Sequence, residues 1–124
     1  MKHIHTDTAP KAIGPYTQAV VAGNLIFTSG QIAIDPATGT VDAAEIAAQT
    51  TRVCENIAAI LAAAGSSLEK VVKTTCFLRH MEDFAAFNEV YARYFTGKPA
   101  RSCVAARELP KNVLVEIDTV AEMG

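Results

Sequence analysis

No stretch of the 124-residue chain is apolar for long enough to cross a bilayer. The start, Met1-Lys2-His3-Ile4-His5-Thr6-Asp7, has no apolar run behind its positive charge. A cytoplasmic protein with no membrane partner is the expectation. Tryptophan is absent, and the only cysteines are Cys54, Cys76 and Cys103. Their odd number and wide spacing, without a C-x-x-C or a close histidine pair, argue against a disulfide framework and a zinc site. Reduced thiols and no metal are expected. Lysine and arginine number 11 against 13 acids, a net charge of −2. No basic cluster interleaved with aromatics occurs, so the electrostatic footprint of a nucleic-acid binder is missing and metabolites or proteins are the expected partners.

What is present suits one domain over residues 1–124. Half of the chain is hydrophobic, and its length supports one core but not two. Residues 1–11 are polar and carry no period, which predicts a loosely ordered arm. After the breaker Gly14-Pro15, Tyr16 to Val21 and Leu25 to Ile34 read as two strands around the turn Ala22-Gly23-Asn24. Asp42, with Glu45 three residues on, has the pattern of a helix start. The stripe Ile46, Val53, Ile57, Ile60, Leu61 and Ala64 continues that helix to a C′ glycine at Gly65. Val71 to Leu78 is a strand with both faces apolar. A second helix from about Asp83 to Gly97 lines up Phe84, Phe87, Tyr91 and Tyr94 or Phe95.

The last quarter predicts a β-hairpin, with Arg101 to Arg107 and Val113 to Ala121 paired around Leu109-Pro110-Lys111-Asn112. In that register Arg101 and Cys103 share a face with Glu116 and Asp118. The element order is ββαβαββ, an α+β fold with two helices on one face of one mixed sheet. Two helices leave the second face bare although Leu25–Ile34, Val71–Leu78 and Val113–Ala121 carry apolar residues there, so self-association is expected.

Several of these residues could carry chemistry. Arg101 opens a strand, where it is a solvated cation, a structural partner of Glu116 or Asp118, or a two-pronged clamp for a carboxylate. Glu116 lies between Val115 and Ile117 with Leu114 and Val120 on its own face. Desolvation there raises a carboxyl pKa toward the range useful for proton transfer. Asp118, two residues on and on the same face, either pushes the Glu116 pKa the same way by like-charge repulsion or, the favoured reading, simply faces solvent at the sheet's end. Cys103 lacks a local nucleophile signature with His3, His5 or His80 and reads as a small buried hydrophobe. Tyr16 and Asn88 are equally an ordinary strand tyrosine and a helix-surface amide, and Gly30 a bulge.

Three separated stretches, in order, resemble one family. They are Ala12-Ile13-Gly14-Pro15-Tyr16-Thr17-Gln18-Ala19 with Phe27-Thr28-Ser29-Gly30-Gln31; Met81-Glu82-Asp83-Phe84 with Phe87-Asn88; and Pro99-Ala100-Arg101-Ser102 with Leu109-Pro110-Lys111 and Val115-Glu116-Ile117. They resemble the reactive intermediate deaminases, the RidA or YjgF family of enamine and imine deaminases. The resemblance implies a chorismate mutase-like fold and a homotrimer with clefts between neighbouring subunits. It also implies cofactor-free hydrolysis of small 2-imino or enamine acids, such as 2-aminoacrylate and 2-iminobutyrate, to 2-keto acids and ammonia. By the same resemblance Arg101 holds the substrate carboxylate with the backbone N–H of Cys103. Glu116 orders the attacking water or moves its proton, and Tyr16, Ser29, Gly30 and Asn88 line the cleft. A binding module or chaperone-like trimer without turnover is the rival reading, and the RNA cleavage or translation inhibition ascribed to some relatives is a third. Three features depart from the family pattern: the short link Thr96-Gly97-Lys98, His80 before Met81, and the run Ala105-Ala106-Arg107-Glu108.

Overall fold

The computed structural model describes residues 1–124. Eight elements follow one another: β1 (Lys2–Ile4), β2 (Ala19–Ala22), β3 (Leu25–Thr28), α1 (Ile46–Ala63), β4 (Val71–Leu78), α2 (Phe84–Tyr94), β5 (Ala100–Ala105) and β6 (Val115–Glu122). The strands form one mixed sheet in the order β1-β2-β3-β6-β4-β5. Helices α1 and α2 cover one face, and Val53, Ile57, Ile60, Leu61 and Phe87 are fully buried beside Ile26, Cys76, Leu78 and Ile117 in a single core cluster. The expected α+β architecture is the observed one.

Residues 1–11, expected as a loose arm, are built into the fold. β1 pairs antiparallel with β2, Ile4 and Ala9 are buried, and the Gln18 side chain bonds to the backbone that follows β1. The polar side chains hid this, because a short edge strand needs only backbone pairing and one apolar anchor.

Helix α1 begins at Ile46 rather than Asp42, and Glu45 at its N-cap makes no side-chain capping bond. Asp42 instead accepts hydrogen bonds from Thr38 (3.1 Å) and Thr40 (2.7 Å), closing the preceding loop. The far end matches the expectation. Gly65 has φ +84°, its N–H bonds Ala62 O, and that of Ser66 bonds Leu61 O, the two bonds of a Schellman stop.

The predicted hairpin does not form. β6 lies antiparallel between β3 and β4, while β5 runs parallel to β4 on its other side. β4, apolar on both faces, takes the place between the two C-terminal strands, and α2 supplies the crossover that parallel pairing requires. Register then fixes the faces. Thr74 stands opposite Arg101 and Thr119, and Cys76 opposite Cys103 and Ile117; Thr75 stands opposite Ser102 and Asp118, and Phe77 opposite Val104 and Glu116. Partnered side chains share a face, so Arg101 and Cys103 project on the helix side and Glu116 and Asp118 on the open side. The expectation that all four share one face is therefore wrong. The open face also shows Phe27 and Val104, 43% and 50% exposed.

Candidate active site

Arg101 enters from the edge strand β5 and folds back over α2. Its Nη1 donates to Asn88 Oδ1 at 2.7 Å, and its guanidinium carbon lies 4.8, 5.4 and 6.0 Å from the ring centres of Tyr91, Phe84 and Phe87. The aromatic spacing read from the sequence as core thus also builds a cation–π cradle. The chain's three ion pairs are His5–Asp7, Arg52–Glu55 and His80–Glu82, so no carboxylate neutralises Arg101. The structural pairing with Glu116 or Asp118 is excluded by the sheet itself.

Backbone donors sit beside it. The Ala106 N–H bonds Leu78 O at 2.8 Å, and N–H groups alternate along a strand. Those of Ser102 and Val104 therefore face β4, and those of Arg101, Cys103 and Ala105 face the open edge. The half-buried Cys103 thiol is pushed up from its ordinary value by burial, against a smaller downward pull from Arg101. Burial likewise pushes Cys76 up to about 12 and Cys54 higher still. All three are neutral thiols, not nucleophiles, at neutral pH.

The second group of residues assembles around Glu116. A cavity of about 460 Å³ is lined by Tyr16, Gln18, Ser29, Gly30, Lys111 and Glu116 among others. The strand predicted to run to Ile34 breaks at Ser29-Gly30, leaving only an isolated bridge from Gln31 to Ile117. Ser29 turns back on the residues just before β2, its N–H on Gln18 O at 2.9 Å and its hydroxyl on Thr17 O at 2.5 Å. Gly30 is where Glu116 passes closest: a Cβ there would lie 3.0 Å from Glu116 Cδ and nearer still to Oε2. Tyr16 stands half-exposed at the rim and accepts a 3.3 Å hydrogen bond from the Ile13 N–H.

Burial raises the Glu116 pKa, and the negative charge of Asp118 adds to the effect. Burial also raises that of Asp118, opposed by a hydrogen bond with Thr75. Both effects favour the protonated form of Glu116 relative to a solvated carboxyl, the direction that suits a proton-exchanging group. No three His, Cys, Asp or Glu side chains converge in a way that could hold a metal ion.

The close approach makes Gly30 a test of where Glu116 must stand. Gly30→Ala meets the mobile end of a side chain rather than backbone, so the chain should fold with its thermal midpoint within a few degrees of wild type. Displacing Glu116 should lower turnover about tenfold or more. An alanine variant with full turnover would show that the carboxylate's position is immaterial.

The seven site residues expected from the sequence therefore form two groups: Arg101, Asn88 and Cys103 at the β5 edge, and Tyr16, Ser29, Gly30 and Glu116 on the far side. Two features beside these groups carry no signal in the sequence: the Tyr91–Phe84 cradle under Arg101, masked by its helical spacing, and Gln18 at the cavity wall, a lone amide between Thr17 and Ala19.

A mixed sheet backed by two helices, with this pair of polar clusters, places the molecule in the chorismate mutase-like α+β class. The family model described as "Endoribonuclease L-PSP" matches residues 6–123. A RutC family protein of Pyrococcus horikoshii is 56% identical over 119 residues, covering 95% of this chain and 94% of the relative. Among solved structures, Escherichia coli TdcF with bound serine superposes with a TM-score of 0.95 at 43% identity over 100% of both chains. The YjgF gene product of the same organism gives 0.94 at 46% identity over 98% of each. The chain belongs to the RidA/YjgF family.

Proposed function

We propose that the protein hydrolyses small 2-imino acids, with 2-aminoacrylate and 2-iminobutyrate as the model substrates, to 2-keto acids and ammonia. The observation that carries this reading is Arg101, an unneutralised guanidinium held rigidly beside outward-facing backbone N–H groups. That is a receptor for a carboxylate. The TdcF neighbour was solved with serine, itself an α-carboxylate.

Arg101 and Glu116 lie on opposite faces of one sheet, so a single site that uses both takes them from two copies of the chain. Apposition of the β5 edge of one copy and the Glu116 cavity of the next would also cover the bare face with Phe27 and Val104. A closed trimer with three such clefts satisfies both needs. The measurable consequence is a solution mass three times the 13.2 kDa of the chain at micromolar concentration and neutral pH. A persistent 13.2 kDa species would remove the shared site.

Within the cleft the chemistry asks for placement more than for reactivity. An enamine takes a proton at carbon to become the imine, whose protonated C=N carbon is electrophilic. Water adds there, forming a C–O bond and giving its proton to Glu116. The same proton returns to nitrogen, the C–N bond breaks with its electron pair leaving on ammonia, and the carbinol O–H gives its proton back to Glu116 as the oxygen closes to the ketone; that proton then leaves with ammonia as ammonium. Arg101 fixes the carboxylate throughout, and no external electron donor or acceptor is involved.

Net charge −2 and two carboxylates on the open face offer RNA no cationic track, so the ribonuclease in the family description is not adopted as the activity. The deciding assay is 2-keto acid release from freshly generated 2-iminobutyrate with and without protein. Acceleration supports the hydrolase; tight binding of 2-oxobutanoate with no acceleration would make the protein a carboxylate receptor instead.

A further inference from the structure

Gln18 is 2% exposed, lies at the wall of the Glu116 cavity, and spends its whole amide on one segment of backbone. Its Oε1 accepts the Thr6 N–H at 2.7 Å. Its Nε2 donates to Thr6 O (3.0 Å), Pro10 O (2.8 Å) and, more weakly, Ala9 O (3.4 Å). The segment so held leads through Lys11 and Ile13, which line the same cavity, to Tyr16. Tyr16 in turn accepts the Ile13 N–H. Between Thr6 and Ile13 only Ala9 and Pro10 are buried, and none of the turn and loop backbone hydrogen bonds involves these residues, so the Gln18 amide provides most of the polar anchoring that fixes their course.

We propose that Gln18 is a positioning residue of the site: it bolts the 6–13 segment down as one wall of the substrate cavity and thereby sets how wide a side chain the cavity admits. The inference rests on the cavity being the ligand site, as read above, but not on the ligand being turned over. The Gln18 amide makes its hydrogen bonds to residues 6–10 and none to Glu116. Its loss should widen and soften the pocket while leaving the proton-transfer group in place. Binding should therefore suffer more than the chemical step, and discrimination against branched side chains should fall.

The experiment compares wild type with Gln18→Met, which keeps the volume and removes all four hydrogen bonds. Expected are a roughly tenfold weaker Kd for 2-oxobutanoate and a similar rise in KM for 2-iminobutyrate, with kcat changed less than about threefold. Trypsin cleavage at Lys11-Ala12 in the intact assembly should accelerate about tenfold or more, reporting the lifted segment. The kcat/KM ratio of a branched imine, 2-imino-4-methylpentanoate, to 2-iminobutyrate should rise. Thr17→Val serves as comparison: it removes a hydrogen bond to β1, from Thr17 Oγ1 to Ile4 O, and leaves the 6–10 anchor intact. Equal losses of binding and selectivity in the two variants at matched thermal midpoints would overturn the proposal, as would unchanged Kd and selectivity in Gln18→Met.

If the methionine variant fails to fold, Gln18→Glu decides the matter, since a protonated carboxyl regains one donor. Its 2-oxobutanoate affinity relative to wild type at the same pH should improve from pH 8 to pH 5, and a flat ratio would sink the inference. Wild type that binds 2-oxobutanoate in this cavity but hydrolyses no imine would defeat the hydrolase reading alone, with Gln18 still judged by Kd and proteolysis. Wild type with no affinity for 2-oxobutanoate would overturn the inference as well.

Discussion

Arg101→Lys should lose imine hydrolysis almost as completely as Arg101→Ala. Lysine keeps the positive charge and can still lie against Tyr91 and Phe84, but its ammonium cannot present two parallel N–H groups to a carboxylate while a third donor engages Asn88. Losing one charge-assisted contact costs on the order of 1.5–3 kcal/mol, roughly ten- to more than hundredfold in kcat/KM, and further loss follows if the substrate is misaligned. Alanine additionally forfeits the stem packed over the aromatic cradle and should lower the thermal midpoint more than lysine does. Hydrolysis and thermal melting measured together on both variants separate the roles. Full activity in the lysine variant, or activity lost only in step with stability, would mean that Arg101 is a structural cation.

Glu116→Gln should move activity and stability in opposite directions. The amide cannot take up and return a proton, so turnover should fall about 10²-fold or more, while 2-oxobutanoate still binds. Stability responds because burial and Asp118 raise the Glu116 pKa in the folded chain. The folded state therefore holds the proton more tightly than the unfolded state. The resulting stabilisation is full below the unfolded carboxyl pKa and is lost as pH rises through the raised value. Above that raised value the wild type carries an ionised, half-buried carboxylate that glutamine does not. The melting temperature of the variant relative to wild type should therefore climb as pH rises through the Glu116 titration, and be lowest where the wild-type carboxyl is protonated. Wild-type turnover at Glu116→Gln would leave this residue a strand position with no chemical role.

Elements governed by local chemistry were legible in the sequence. The Gly65 helix stop, the bounds of β4 and the aromatic stripe of α2 each follow from residues within a turn or two of one another. Pairing between distant segments was not. Leu109 to Asn112 has turn chemistry and extended flanks whether those flanks join each other or a third strand, and only the two apolar faces of β4 hint that it belongs between them. The error carried through to the site. A false register put Arg101 and Glu116 side by side, whereas the sheet sets them on opposite faces. Gln18 was invisible for a related reason: a lone amide between Thr17 and Ala19 gives no sign that its partners lie eight to twelve residues upstream.

The central position of β6 bears on how the molecule comes into being. It is the final strand in chain order, yet it lies between β3 and β4. A growing polypeptide can form α1, α2 and the β2–β3 ribbon early, but the two halves of the sheet have nothing to join them until residues 115–122 leave the ribosome. Until then the apolar inner edges of β3 and β4 stand open to other chains. Loss of the last ten residues would thus remove the seam of the structure rather than trim its border, and crowded nascent chains are where aggregation should begin.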